Sequence, residues 1–328
     1  MRKIATLFLS GLFMVVVLTA CNQAPSSPTP RETSPPAPSP DSTRTYTVGQ
    51  RLILSNLGPG YPDKQNLWVA LIRDVSPYQS AHLRRIYPEK YQPVTDEYGN
   101  QYAEFDLTDH PPGKVITVAL EYEVIVYGQR FDLGNCQGEM PGEYTQPELH
   151  IESANPQIVG LAEELSRGTH NVCEQARAFY DHIGDELVYS HNRKDWGAQA
   201  TFGEMGADCT EFTSLMIALS RAAGIPARYY EGLLYLNNKG EGLAQTEHAW
   251  LDIYLPGAGW VTVDPTLGRS RLHRETHYAQ YTPNHIIITT GRNPSTLRGS
   301  SYWSHLYWPG DSARITIEDA TWSIERIK

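Results

Sequence analysis

Hydrophobic and polar positions divide this chain into four stretches of different character. Residues 4–18 form an almost unbroken apolar run behind Arg2 and Lys3, closed by Thr19 and Ala20 before Cys21. The run is short for a membrane span and has the proportions of a signal-peptide core, so residues 1–20 read as a cleaved leader. From residue 21 to 45 apolar positions nearly vanish, and Pro25, Pro28, Pro30, Pro35, Pro36, Pro38 and Pro40 rule out helix. Such a segment is an extended tether, reaching on the order of 70 Å at about 3.1 Å per residue. Residues 46–135 carry strand patterning: 67–72 is apolar enough for a buried strand, 96–100 is a turn signal, and 115–127 alternates over long stretches. Several strands with turn punctuation and no helical period predict a β-sandwich.

The fourth stretch, 150–328, mixes both periods. Asn171 caps a helix with Val172, Ala176, Phe179 and Ile183 on one face. Asp208 stands before Phe212, Leu215, Met216 and Leu219 at helical spacing, and Gly224 and Pro226 end that second helix. Strands follow at about 227–236, 248–255 and 260–264, the last two joined by Pro256-Gly257-Ala258-Gly259, a hairpin signal. The hairpin sets His248 and Asp264 nearly opposite, as direct or diagonal neighbours, if a bulge absorbs the small difference in register.

Three short patches each hold a polar residue that packing does not explain: Cys209 in 206–211, His248 in 246–250 and Asp264 in 261–266. A thiol, an imidazole and a carboxylate are the set required for nucleophilic acyl transfer, as attacker, base and orienter of the base. Cys209 falls in the first turn of its helix. There the free N–H groups and the dipole favour a thiolate and offer donors to an oxyanion. A binding module that kept the fold and lost the chemistry would show a replaced Cys or His, which this chain does not. A zinc site made of the same three residues lacks the paired Cys or His spacing of such sites, so no metal and no cofactor are expected.

Compartment changes how the cysteines are read. Leu18-Thr19-Ala20-Cys21 resembles a bacterial lipobox, which implies cleavage before Cys21 and lipid on its thiol; the alternative is an ordinary secretory signal with a chance cysteine. Either places the protein outside the cytoplasm, and the first anchors it to a bacterial membrane through lipid. Cys136 and Cys173 are then a disulfide or two separate buried thiols. The formal charge is −10; without Arg2 and Lys3 it is −12, from 25 basic and 37 acidic residues. No basic cluster appears, which argues against nucleic acid as a partner. His170, His182, His191, His273, His277 and His305 lack a distinctive context and read as surface or packing residues. Tyr302, Trp303, Tyr307 and Trp308 line a groove or fill a domain contact.

With these residues in view, the chain resembles the transglutaminase-like superfamily. The resemblance rests on Gly206-Ala207-Asp208-Cys209-Thr210-Glu211-Phe212, on Ser220 to Arg228, on Glu247-His248-Ala249-Trp250, on Gly259-Trp260-Val261-Thr262-Val263-Asp264-Pro265-Thr266, and on Asn284 to Arg292. It implies an α+β, papain-like core in which a nucleophile helix packs on an antiparallel sheet, preceded by the β-sandwich. It implies Cys209 as nucleophile, His248 as base and then acid, and Asp264 as the group fixing the imidazole tautomer. The Cys209 N–H would serve as one oxyanion donor and a side chain, Tyr189 or Trp196, as the second. Glu211 and Arg228 would brace the site. The implied substrate is a peptide or protein of the cell envelope, with the acyl group passed to water (protease or amidase) or to an amine (cross-linking).

Overall fold

The computed structural model describes residues 43–62, 65–134, 136–191, 196–203, 206–236, 245–292, 304–307 and 315–327. The leader, Cys21, the tether as far as residue 42, and Tyr302, Trp303 and Trp308 lie outside the described residues. The first seven strands are β1 (Thr43–Asn56), β2 (Asn66–Leu71), β3 (Gln79–Tyr87), β4 (Gln92–Thr95), β5 (Gln101–Asp106), β6 (Val115–Tyr127) and β7 (Gln129–Arg130). Three helices follow: α1 (Pro156–Leu165), α2 (Val172–Glu186) and α3 (Cys209–Ala222). Then come β8 (Ala227–Tyr235), β9 (Gln245–Leu255), β10 (Gly259–Val263), the short α4 (Pro265–Gly268), β11 (Gln280–Tyr281) and β12 (His285–Thr290). The chain closes with β13 (Ser304–Tyr307) and β14 (Ile315–Arg326).

Period-two alternation builds the sandwich. Tyr46, Val48, Leu52 and Leu54 of β1 and Ile116, Val118, Leu120, Tyr122, Val124 and Val126 of β6 all point inward. Two sheets, ordered β14-β1-β6-β3 and β13-β2-β5-β4, close over these residues. Two boundaries differ from the sequence reading. β1 starts at Thr43, paired with Tyr127, so the last residues assigned to the tether are sheet. The C-terminal residues assigned to the second domain form strands that join the sandwich instead, β14 along β1 and β13 along β2. A 14-residue β1 would otherwise expose a long unpaired edge, and β14 covers it.

A third four-stranded sheet, β10-β9-β8-β12, is antiparallel throughout. It is covered on both faces. Ala249, Leu251 and Ile253 of β9 pack with Phe212, Leu215, Met216 and Leu219 of α3, and with Phe179 and Ile183 of α2. Trp250 lies in the other core, with Tyr230, Tyr281 and the sandwich residues. The β9–β10 register runs without a bulge, Val263 opposite Leu251. Continuing it puts residue 264 opposite Trp250, so Asp264 meets His248 on the diagonal.

Side-chain amides satisfy edges that strands leave open. Gln79 gives an N–H to the Ile287 carbonyl (2.8 Å) and accepts the Ile287 N–H (2.8 Å). Asn100 does the same at Thr290, both at 2.8 Å. Two amides of the sandwich thus stand in for a neighbouring strand along the free edge of β12. Beneath the sheet, Asp252 is wholly buried and accepts from Tyr78 Oη (2.8 Å), Tyr230 Oη (3.0 Å), Arg228 Nη2 (2.9 Å) and Thr262 Oγ1 (2.8 Å). Cys136 and Cys173 are joined in a disulfide, Cα–Cα 6.0 Å, tying the linker after β7 to the first turn of α2. By the chain-entropy argument, closing that loop is worth about 4 kcal/mol.

Asp252→Ala would strip Arg228 of its buried partner, and we expect a loss of about 3 kcal/mol or more in unfolding free energy by denaturant titration. A change below about 0.5 kcal/mol, the size of an ordinary surface substitution, would mean that the junction does not depend on this carboxylate.

Candidate active site

The start of α3 is fixed by its own sequence. Asp208 is the N-cap: its carboxylate accepts from Thr210 N (2.9 Å) and Thr210 Oγ1 (2.8 Å), while its N–H donates to Glu211 Oε2 (3.2 Å). This reciprocal box makes Cys209 the first helical residue. Just upstream, Gly206 has φ +76°, and a Cβ there would strike Ser190 Oγ. That close approach lets residues 188–190 bond to Ala207 through Ala207 N–Val188 O (3.3 Å) and Ser190 N–Ala207 O (2.9 Å). Tyr189 is thereby strapped beside the nucleophile.

The Cys209 thiol is free and half-buried. His248, from β9, and Asp264, the residue after β10, are buried. His248 Nε2 lies 2.7 Å from Asp264 Oδ2. The Cys209 thiol acts on the same imidazole, favouring its protonated form. Asp264 also caps α4, accepting Leu267 N–H at Oδ1 (2.9 Å), and its own N–H donates to the His277 carbonyl (2.9 Å). A third group faces the carboxylate: His285 Nε2 is 3.1 Å from Oδ2. Trp250 holds both rings, stacked on His248 at 5.9 Å and edge-on to His285 at 4.9 Å between centroids.

Burial alone would lower the His248 pKa, but the Asp264 carboxylate and then the Cys209 thiol outweigh it and raise it to about 10. Burial alone would raise that of Asp264. The charge of His248, then hydrogen bonds from His248 and His285, hold it well below the usual carboxylate range. The site therefore favours an imidazolium against a carboxylate. One ligand atom each from His248, Asp264 and His285 lies within 4.8 Å of the others, a spacing compatible with a metal ion. Both Nε2 atoms aim at the same oxygen, however, so the carboxylate already occupies their point of convergence.

Residues 159–265 match the sequence profile of the transglutaminase-like superfamily. The chain carries a transglutaminase-like core. Over 146 residues it is 28% identical to the uncharacterized protein YebA of Bacillus subtilis, covering 38% of this chain and 20% of that one. Over 170 residues it is 30% identical to a protein-glutamine gamma-glutamyltransferase of Pseudomonas aeruginosa, covering 48% of this chain and 25% of that one. The chain thus matches a fifth to a quarter of the length of these curated relatives. A crystal structure of a candidate cysteine protease from Cytophaga hutchinsonii superposes with a TM-score of 0.61 at 16% identity, over 87% of this chain and 91% of that one. At that identity the likeness shows a shared fold.

Within the transglutaminase-like core the structure brings Cys209, His248 and Asp264 together. The two oxyanion candidates separate. Tyr189 is partly exposed, its charge coupled to Cys209 and its ring 4.6 Å under the Arg269 guanidinium. Trp196 lies against the His150 ring at 6.1 Å. Glu211 is buried, accepting the Asp208 N–H and a bond from Thr210 Oγ1 (2.9 Å). Burial and then the charge of Asp208 raise its pKa to about 7. Arg228 serves the Asp252 network instead. Behind α3, Arg292 donates to Ser214 Oγ (3.2 Å) and stacks on Tyr229 (4.8 Å), whose hydroxyl donates to Glu231 (3.2 Å). Sequence reasoning passed over His285 as a site residue. Its one signal was an imidazole heading an otherwise apolar β-run, His285-Ile286-Ile287-Ile288.

We expect the His248 ring to remain protonated at pH 8 in NMR titration, and Asp264→Asn to lower its pKa, because the largest influence opposing burial is then removed. Stability follows with a definite sign. The raised His248 pKa contributes stability fully present below about pH 6.5 and lost as pH climbs through about 10. The depressed Asp264 pKa contributes stability present above pH 3.8 and lost only in strong acid. An unchanged His248 titration in Asp264→Asn would refute the coupling.

Proposed function

We propose that the protein is an extracytoplasmic cysteine acyl-enzyme, tethered through lipid on Cys21, that uses Cys209, His248 and Asp264 as its triad. The observation that carries the reading is a half-exposed thiol at a capped helix N-terminus, coupled to a buried imidazole that is hydrogen-bonded to a buried carboxylate. The Cys209 thiolate attacks the carbonyl carbon of a peptide bond or a glutamine carboxamide. Charge on the tetrahedral oxygen is received by the Cys209 N–H and the Tyr189 hydroxyl. As the C–N bond breaks, His248 gives its proton to the departing amine or ammonia, leaving a thioester on Cys209. His248 then takes a proton from the acceptor, whose oxygen or nitrogen displaces the thiolate. Water as acceptor makes the protein a protease or amidase; a primary amine makes it a cross-linking transferase. The resemblance to a protein-glutamine gamma-glutamyltransferase of Pseudomonas aeruginosa favours a glutamine carboxamide as donor. The Cys136–Cys173 disulfide supports an oxidising compartment, outside the cytoplasm.

The test is iodoacetamide labelling of the intact protein from pH 5 to 9, followed by mass spectrometry, beside Cys209→Ala and His248→Ala. We expect Cys209 to label about tenfold or more faster at pH 6 than in His248→Ala, since one pKa unit of lost ion pairing is a factor of ten. Equal rates in the two proteins would return Cys209 to an ordinary thiol and leave a binding module in place of an enzyme. Given activation, release of free acid against incorporation of a labelled amine separates hydrolase from transferase.

A further inference from the structure

We propose that His285 is a positioning residue: its Nε2–H grips Asp264 Oδ2 and holds the carboxylate in the orientation that His248 requires. The inference rests on the acyl-enzyme reading. It extends the line of three residues to five, since His285 Nδ1 meets the Thr282 hydroxyl at 2.8 Å. That contact decides which ring nitrogen faces Asp264. The main chain holds His285 as well, because its carbonyl accepts from Tyr281 Oη at 2.6 Å. His285 has no route to substrate: it is buried beneath Trp250 and separated from Cys209 by both Asp264 and His248.

The geometry assigns the two carboxylate oxygens different duties. Oδ1 is committed to the Leu267 N–H and fixes where Asp264 sits. Oδ2 receives two imidazole N–H groups from different strands, β9 and β12. With His285 removed, Oδ2 keeps a single donor, and rotation about the Cα–Cβ bond is no longer opposed on the side away from His248. His248 then loses alignment with its counter-charge, and the thiolate it supports becomes scarcer in acid. The other titratable groups facing this cluster are Cys209 from α3, Tyr180 from α2, and His277, whose pKa is lowered to about 4, first by burial. Because that histidine is neutral from about pH 5 upward, it adds no charge that would mask the effect.

The decisive experiment is the pH profile of Cys209 alkylation by iodoacetamide in the intact protein, for His285→Leu, His285→Gln, Thr282→Val and His248→Ala, with circular dichroism melts for each. We expect His285→Leu to label about tenfold slower at pH 6, its acid limb displaced upward by about one unit. His285→Gln carries an amide N–H near the Nε2 position and should stay within about threefold of the parent. Thr282→Val leaves the ring in place but frees its tautomer, and should fall between the two. A purely structural role would lower melting temperatures while leaving the limb in place. Parent-like profiles in both His285→Leu and Thr282→Val, with His248→Ala impaired, would overturn the role of His285 and leave the triad standing. Parent-like profiles in all four would overturn the triad reading itself. If His285→Leu fails to fold, Thr282→Val and His285→Gln decide the matter: a parent-like Thr282→Val, or a His285→Gln as slow as His248→Ala, refutes the proposal.

Discussion

A carboxylate taken out of water must find its donors in the protein, and the donors must be held where it needs them. Asp264 imposes that constraint on the core. It collects a backbone N–H from α4, an imidazole from β9 and a second imidazole from β12. None of these elements can shift far without stranding a charge, so one side chain sets the relative positions of the hairpin, the turn after it and the edge strand. Cys209 is added to this framework from the opposite direction, at the end of a helix whose first turn is locked by Asp208 and Glu211.

From the carboxylate the same logic runs outward into the sandwich. β12 is the edge strand of the β10-β9-β8-β12 sheet, and an unsupported edge would be a weak place to mount His285. Gln79 and Asn100 supply the missing ladder bonds, and the Tyr98 hydroxyl donates to the Arg292 carbonyl just past the strand (3.2 Å). On the buried face, Tyr78 reaches Asp252. The sandwich sheets therefore contribute directly to the core beside them. They complete the edge and the underside of the sheet that carries the site, and the two C-terminal strands bind them to the far end of the chain.

What the sequence could reveal depended on how local each interaction is. Cys209 was legible because an Asp before a helical apolar period marks an N-cap within four residues. His248 and Asp264 were legible because a glycine-rich hairpin converts their separation of 16 into a near-contact. The hairpin argument placed the pair correctly but invoked a bulge; the register is regular, and the extra reach comes from the diagonal and from Asp264 leaving the strand to cap α4. Tyr78 with Asp252, and Gln79 with Ile287, span 174 and 208 residues. No periodicity registers such pairs. The return of β14 to β1 is invisible for the same reason. His285 was missed on different grounds: an imidazole ahead of three isoleucines has the pattern of a core residue, and only its partner shows otherwise.

On the acyl-enzyme reading proposed above, the division between the buried and open sides of this site bears on how an acyl group would be handed on. His248, Asp264 and His285 are enclosed, so neither water nor an amine would reach a thioester from behind the imidazole. The acceptor would arrive on the side where Cys209 is half-exposed and where the partly exposed Tyr189 stands beside it. In the proposed mechanism such a triad would supply the same base to either acceptor, since His248 would remove a proton from oxygen or nitrogen in one geometry. Choice between them belongs to what the open side admits and excludes. On the proposed reading the carboxylate hub serves the chemistry common to both reactions, and the choice between them falls to the open side of the site.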